Sequence, residues 1–271
     1  MTAAIVTIVA GRRKHLGRQC AAIDRFAPEV EHVVVDMAGD VADLGGTHRR
    51  VIPMPSAGLP LPLAEARNIG AAAAIQNGAD ELVFLDVDCI PSSHTVSGYR
   101  AALDLYPDAV LTAPVGYLPP EAAAIDPTDG DALEATAHFH DFRPRPGAGE
   151  VQPAGHHLFW SLSFALTGAT WTRIGGFDES YRGYGAEDTD FGERARLAGA
   201  PLLFVGGATA YHQHHSVESP PVRHLDDILR NGRTFAARWG YWPMQGWLDG
   251  FEATGLIIRD EATGDYRKAA A

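Results

Sequence analysis

Cysteine is nearly missing from this chain. Cys20 and Cys89 are the two found in 271 residues, too few for a disulfide framework, and the apolar surroundings of Cys89 suit a buried thiol in a reducing compartment. Basic residues are scarce as well. Lys and Arg total 22 against 34 Asp and Glu, a formal net charge of −12. That excludes a dedicated nucleic-acid binder, since phosphate backbones are held by basic surfaces. An acid-rich protein can still take a phosphorylated small molecule if a divalent cation lies between them. No stretch reaches the roughly 20 apolar residues of a membrane-spanning helix. The apolar start is followed by Gly11, Arg12, Arg13 and Lys14, which reverses the order of a secretory signal. A cytoplasmic protein without a transmembrane segment is expected.

Several motifs are missing too. There is no Gly-x-Gly-x-x-Gly after the first strand, no Gly-Lys-Ser/Thr phosphate loop, no His-Glu-x-x-His and no Gly-x-Ser-x-Gly elbow. These absences weigh against dinucleotide enzymes, zinc peptidases and α/β hydrolases.

What is present is a balanced globular chain, 46% hydrophobic and 21% charged, long enough for one generous domain or two small ones. Short β-branched runs alternate with helical segments, the mark of an α/β sheet with parallel neighbours. Strands are expected at 4–9, 32–36, 82–85, 164–167 and 202–205. Helices are expected at 13–27, from 63 to a stop at Asn77-Gly78, at 171–174, 187–197 and 222–239. Between Pro114 and Pro153 the pattern dissolves into Pro, Gly and acidic residues, so a long loop with an acceptor-binding or lid role is expected there. The aromatic tail with Trp239, Tyr241, Trp242 and Trp247 can pack on the domain, meet a second subunit to form a homo-oligomer, or dock at a membrane; packing is expected.

Three places carry chemistry. Asp86-Val87-Asp88 closes an apolar strand where open α/β sheets present ligands, and along an extended chain both carboxylates share a face. Two such oxygens can hold a hard cation against a diphosphate, although strands ending in two acids are common. Arg67 and Asn68 lie on the preceding helix, where a cation and an amide can address phosphate or base. Second, Gly175-Gly176-Phe177-Asp178-Glu179 leads to Tyr184-Gly185-Ala186-Glu187-Asp188-Thr189-Asp190. The helix dipole explains one or two of these acids, not the whole cluster. Third, His212, His214 and His215 follow a strand and offer metal ligands. His156, His157 and Trp160 can line a pocket, with Trp160 stacking on a sugar ring or packing in the core.

Taken in order, these segments, over roughly residues 3–215, resemble the metal-dependent glycosyltransferases of the GT-A fold. The likeness is strongest to family 2 enzymes and the galactosyltransferase and chondroitin-polymerase branch. It rests most on 175–179 with 184–190, followed by Ala210-Tyr211-His212-Gln213. The resemblance implies an α/β fold of GT-A type with a mixed central sheet flanked by helices. The catalytic domain would span 1–215, and a C-terminal helical extension at 216–271 would pack on it. It implies a hexosyltransferase using a UDP-sugar or GDP-mannose, with Mn²⁺ or Mg²⁺. The acceptor would be the hydroxyl of an oligosaccharide or small glycoside, and inversion is the implied outcome.

By the same resemblance Asp36 contacts the nucleotide base, Arg67 and Asn68 lie near the donor, and Asp86 contacts ribose or sugar. Asp88 and His212 bind the metal, with His214 and His215 as competitors. Glu187 touches the acceptor or the donor sugar, His156 and Trp160 are acceptor candidates, and Asp188 is the base. Gly11-Arg12-Arg13-Lys14-His15 departs from the usual polar turn with Asn, and Arg12, Arg13 and Lys14 either face the diphosphate or form an ordinary basic helix entry, the reading preferred here. The 114–153 segment matches no pattern and leaves the acceptor unidentified. A nucleotidyltransferase and a non-catalytic sugar-binding protein stand as alternatives.

Overall fold

The computed structural model describes residues 2–54, 60–216 and 218–269. The chain begins β1 (Ala3–Val9), α1 (Arg13–Phe26), β2 (Glu31–Asp36), β3 (Arg49–Pro53), α2 (Leu63–Gln76), β4 (Glu81–Leu85) and β5 (Cys89–Pro91). It continues through α3 (Thr95–Leu105), β6 (Val110–Thr112), β7 (Val115–Tyr117), α4 (Gly130–Thr136), β8 (Val151–Ala154), β9 (Ser163–Thr167) and α5 (Gly168–Ile174). Then follow α6 (Glu187–Leu197), β10 (Leu202–Val205), β11 (Ala210–His212), α7 (Leu225–Trp239), α8 (Gln245–Ala253), β12 (Ile257–Arg259) and β13 (Tyr266–Lys268).

Among the described residues the main sheet has the order β3-β2-β1-β4-β9-β6-β10-β8. Strands β3, β2, β1 and β4 run parallel, whereas β9 is antiparallel to both β4 and β6. β1 is buried along its whole length, as a central strand covered on both faces must be. On one face Phe84 and Phe164, paired in register on β4 and β9, stack with ring centroids 4.4 Å apart and join Trp171, Phe177 and Phe191. On the other, Ile5, Val83, Leu85 and Leu111 pack beneath Ile23 of α1 and Tyr99 and Leu103 of α3. α2 lies close on the sheet because Gly70 faces β1, where a Cβ would overlap the Val6 side chain.

A small second sheet, β5-β11-β7, carries the histidine segment. The stretch 114–153 is more ordered than its composition implies. It holds β7, α4 and β8, each short because Pro and Gly limit length, and each fixed by packing such as Leu133 against Ile90, Leu118 and Tyr211. The helix expected over 222–239 is a 3₁₀ turn at Val222–His224 followed by α7. The tail adds α8 and the β12-β13 hairpin around Leu225, Ile228, Leu248 and Phe251, with Trp242 and Trp247 packed against them. Of the expected 216–271 extension, residues 217, 270 and 271 lie outside the described residues.

Candidate active site

β1 and β4 are neighbours, yet β1 leads by α1 to β2 on one side while α2 returns the chain to β4 on the other. Diverging exits from adjacent strands open a crevice at their carboxyl ends. Arg12 leaves β1 there, and Asp86 to Asp88 leave β4. The extended alternation expected for the two aspartates is not found. The chain turns at once, with the Cys89 amide donating to the Asp86 carbonyl at 2.8 Å, and this turn turns both carboxylates into the crevice.

A buried polar chain supports the turn from below. The Arg49 Nε–H donates to His32 Nδ1 (3.0 Å), the His32 Nε2 meets Thr7 Oγ1 (3.0 Å), and that hydroxyl donates to Gln19 Oε1 (3.0 Å). Gln19 Nε2 then donates to the carbonyls of Asp86 (2.7 Å) and Cys89 (2.9 Å). Each polar group in this chain is partnered, as burial demands.

β11 pairs with β5 so that His212 lies opposite Cys89, and the Gln213 amide donates to the Asp88 carbonyl at 2.7 Å. His212 Nε2 is thereby placed 3.5 Å from Asp88 Oδ1, and His215 Nε2 lies 3.5 Å from Asp88 Oδ2. Ligand atoms of Asp88, His212 and His215 all fall within 4.8 Å of one another. His214 is exposed and joins the region only through its carbonyl, bonded to His15. Arg12 also contacts Asp88, so it is more than a basic helix entry; Arg13 has that role and pairs with Asp43. Burial opposes the charge on Asp88, but His215, His212 and Arg12 hold its pKa down at about 2. Burial lowers the His212 pKa, with Asp88 pulling the other way. Asp88 Oδ1 is buried with no hydrogen-bond partner. A free carboxylate oxygen with two imidazoles fits a divalent metal ion.

Across the crevice, Glu187 and Asp188 open α6, where the helix dipole favours negative charge. The Ser161 amide donates to Asp188 Oδ2 at 3.0 Å, leaving Oδ1 buried and unpartnered. Burial, and then Asp188, pushes the Glu187 pKa up to about 8. Arg67, 5% exposed, sits between the halves, 3.0 Å from Asp86 Oδ1 and 3.8 Å from Glu187 Oε1. Burial also raises the Asp86 carboxyl, to about 6, against the pull of Arg67. Buried polar atoms without partners on Arg67, Asp88, Glu187 and Asp188 gather at one place, the pattern of a site awaiting a polar ligand.

Other candidates are engaged differently. Asp36 accepts amides of Ala38, Gly39 and Val41, which fills both its oxygens with its own turn. Asn68 exchanges hydrogen bonds with the Phe177 backbone and holds Glu179, so it fixes the 175–179 segment. His156 bonds the Ala200 carbonyl at 2.8 Å and does not join the carboxylates. Asp190, fully buried, accepts from Arg238, Trp239 Nε1 and Tyr181; this acid is structural. Trp160 is covered by the Arg143 guanidinium 4.0 Å from its ring, with His140 and Phe142 edge-on. Tyr117 links this wall to the metal-type cluster, 4.7 Å from the His140 ring and 5.0 Å from the His212 ring. Tyr117, Phe142 and Arg143 carried no motif, and only their position beside the His segment and Trp160 gives them meaning.

Residues 156–216 match the family model described as the N-terminal domain of galactosyltransferase. Validoxylamine A glucosyltransferase of Streptomyces hygroscopicus subsp. jinggangensis (strain 5008) is 28% identical over 231 residues, 77% of this chain and 51% of that protein. The enzyme of the same name from S. hygroscopicus subsp. limoneus is 35% identical over 65 residues, 24% of this chain and 13% of that protein. The chain thus spans about half or less of the curated relatives it matches. Among solved structures, GalNAc-T7 with UDP, GalNAc and Mn²⁺ superposes with a TM-score of 0.60 at 14% identity, covering 94% of this chain and 54% of that one. S. aureus TarS 1-349 with UDP-GlcNAc gives 0.59 at 13% identity, over 93% of this chain and 76% of that one. In fold the chain is similar to these GT-A structures, and its matched segment and curated relatives are those of glycosyltransferases.

Proposed function

We propose that this chain transfers a hexose from a UDP-sugar to a hydroxyl of a carbohydrate acceptor, with a divalent metal and with inversion at the anomeric carbon. One observation carries the reading. Asp188 presents a buried oxygen without a hydrogen-bond partner next to Glu187, which Arg67 joins to Asp86, two residues before Asp88 of the Asp88, His212 and His215 cluster. The UDP and GalNAc bound to one structural neighbour, the UDP-GlcNAc bound to the other, and the glucosyl group in the relatives' name support a UDP-hexose over GDP-mannose.

Asp88, His212 and His215 would hold the metal, and two imidazoles weigh towards Mn²⁺ over Mg²⁺. When bound, the ion supplies positive charge to the leaving diphosphate. Asp86, oriented by Arg67, takes a donor hydroxyl. Glu187 is largely protonated at neutral pH, since its pKa is raised to about 8, and donates a hydrogen bond to the sugar. Asp188, aimed by the Ser161 amide, removes the acceptor proton as the acceptor oxygen bonds to the anomeric carbon and the bond to the diphosphate breaks. Trp160, stiffened by Arg143, and exposed Phe142 (62%) form the acceptor wall. Asn68 acts through the 175–179 segment, and Asp36 through the turn it closes near the base. His156 has no part in this scheme.

Calorimetric titration of UDP with and without Mn²⁺ tests the reading, followed by UDP release from UDP-hexoses in the presence of glycosides. Metal-dependent UDP binding that is lost in Asp88→Ala is expected. UDP affinity indifferent to Mn²⁺, or unchanged in that variant, would end the proposal.

A further inference from the structure

The turn that leads into α6 is hydrogen-bonded to Asn231, which lies 44 positions after Glu187. Asn231 of α7 is 1% exposed, and its Nδ2 faces three carbonyls, those of Arg182 (3.0 Å), Tyr184 (3.3 Å) and Gly185 (3.0 Å). On the same face of α7, one turn earlier, Asp227 accepts the Tyr184 amide at 3.3 Å. The segment so held is left-handed at Gly183 (φ 72°), Gly185 (φ 96°) and Ala186 (φ 73°). A Cβ on Gly183 would overlap the Asp227 carboxylate, which shows how closely the turn is pressed to the helix. Ala186 has a side chain, so its left-handed conformation is strained and persists only where the surroundings enforce it. It is also the N-cap residue of α6, and the next two residues are Glu187 and Asp188.

We infer that Asn231 is a positioning residue for the transfer step: by tying the three carbonyls of the left-handed turn it fixes the direction in which Glu187 and Asp188 enter the crevice. The inference rests on the functional reading above, in which Asp188 is the base. Asp227 at the Tyr184 amide and Arg230 at the Arg182 carbonyl also hold this turn, but among the described residues no other side chain bonds the Gly185 carbonyl beside Ala186, and relaxation there would rotate the first turn of α6. The donor side is built differently. Arg67 and Asp86 pair with each other, and Asp88 with Arg12, His212 and His215. Among the described residues no hydrogen bond or ion pair joins α7 to any of these six.

The experiment compares the full chain with Asn231→Ala. UDP affinity with Mn²⁺ is read by calorimetry. kcat and KM are read as UDP release by water from whichever of UDP-glucose, UDP-galactose and UDP-GlcNAc the unaltered chain hydrolyses fastest. The expected result is a fall in kcat of at least tenfold with UDP Kd within twofold. A kcat within twofold of the unaltered chain overturns the inference, as does a parallel loss of kcat and UDP affinity, which marks general loss of structure. If the unaltered chain neither binds UDP nor releases it, the functional reading fails and takes this inference with it. Should Asn231→Ala not fold, Asn231→Ser, which keeps one donor, carries the same measurement, with a kcat loss of at least threefold and the same unchanged Kd.

Discussion

Two adjacent acids on one helix turn meet different surroundings. Glu187 is buried beside another carboxylate and titrates at about pH 8, whereas Asp188 has a backbone amide on one oxygen. At pH 7 Glu187→Gln therefore replaces one neutral hydrogen-bond donor by another and should lower transfer less than tenfold. Asp188→Asn removes the proposed base and should lower it by about 10²–10⁴, while UDP affinity persists. Above pH 8 the unaltered protein should lose rate as Glu187 ionises next to Asp188, and Glu187→Gln should not; rate profiles from pH 6 to 9.5 read this directly. At the metal-type cluster, His212→Ala and His215→Ala should each weaken Mn²⁺ binding at least tenfold. His214→Ala should not, since that ring is exposed. Paramagnetic titration of free Mn²⁺ distinguishes the three.

Helix α7 is part of the site's frame rather than an appendage. Arg238 pairs with fully buried Asp190 and with Asp178. Because Trp239 and Tyr181 still reach Asp190 when Arg238 is removed, Arg238→Ala should cost about 1–3 kcal/mol, below the full penalty of an unpaired buried charge. Urea unfolding measures it. None of this was legible at 187–190, where four polar residues in a row read as one functional cluster; a partner 48 positions away on another helix made Asp190 structural. By contrast, α6 was readable to the residue, because acids at its start and Gly199 after its end mark both limits. The strand β10 was equally plain from Leu202-Leu203-Phe204-Val205. β3, with Arg49-Arg50 at its start, hid because an edge strand needs only one apolar face. The Asp86 to Asp88 turn hid because its shape comes from Gln19 beneath it, not from its own residues.

At the scale of the molecule, stability should respond both to ligand and to acid. UDP with Mn²⁺ at about 100 times Kd adds about 2.7 kcal/mol to the folded state, a Tm rise on the order of 5 °C for a chain of this size. UDP alone should give a small fraction of it. His32, buried first and then opposed by Arg49, has its pKa depressed to about 3, so below about pH 6.5 the unfolded chain takes up a proton that the folded chain refuses. Stability should fall with decreasing pH across that window by about 1.4 kcal/mol per unit from this group. His32→Gln should show a shallower decline of Tm between pH 6 and 4; parallel declines would remove His32 as the cause.

Arg67 has a consequence that reaches beyond its contacts. A single guanidinium leans on Asp86 to one side and on Glu187 to the other, so the two banks of the crevice share one counter-charge. A ligand that draws Asp86 away from it leaves more of that charge for Glu187, making its proton easier to lose. Filling one bank thus retunes the acidity of the other, with no backbone movement needed.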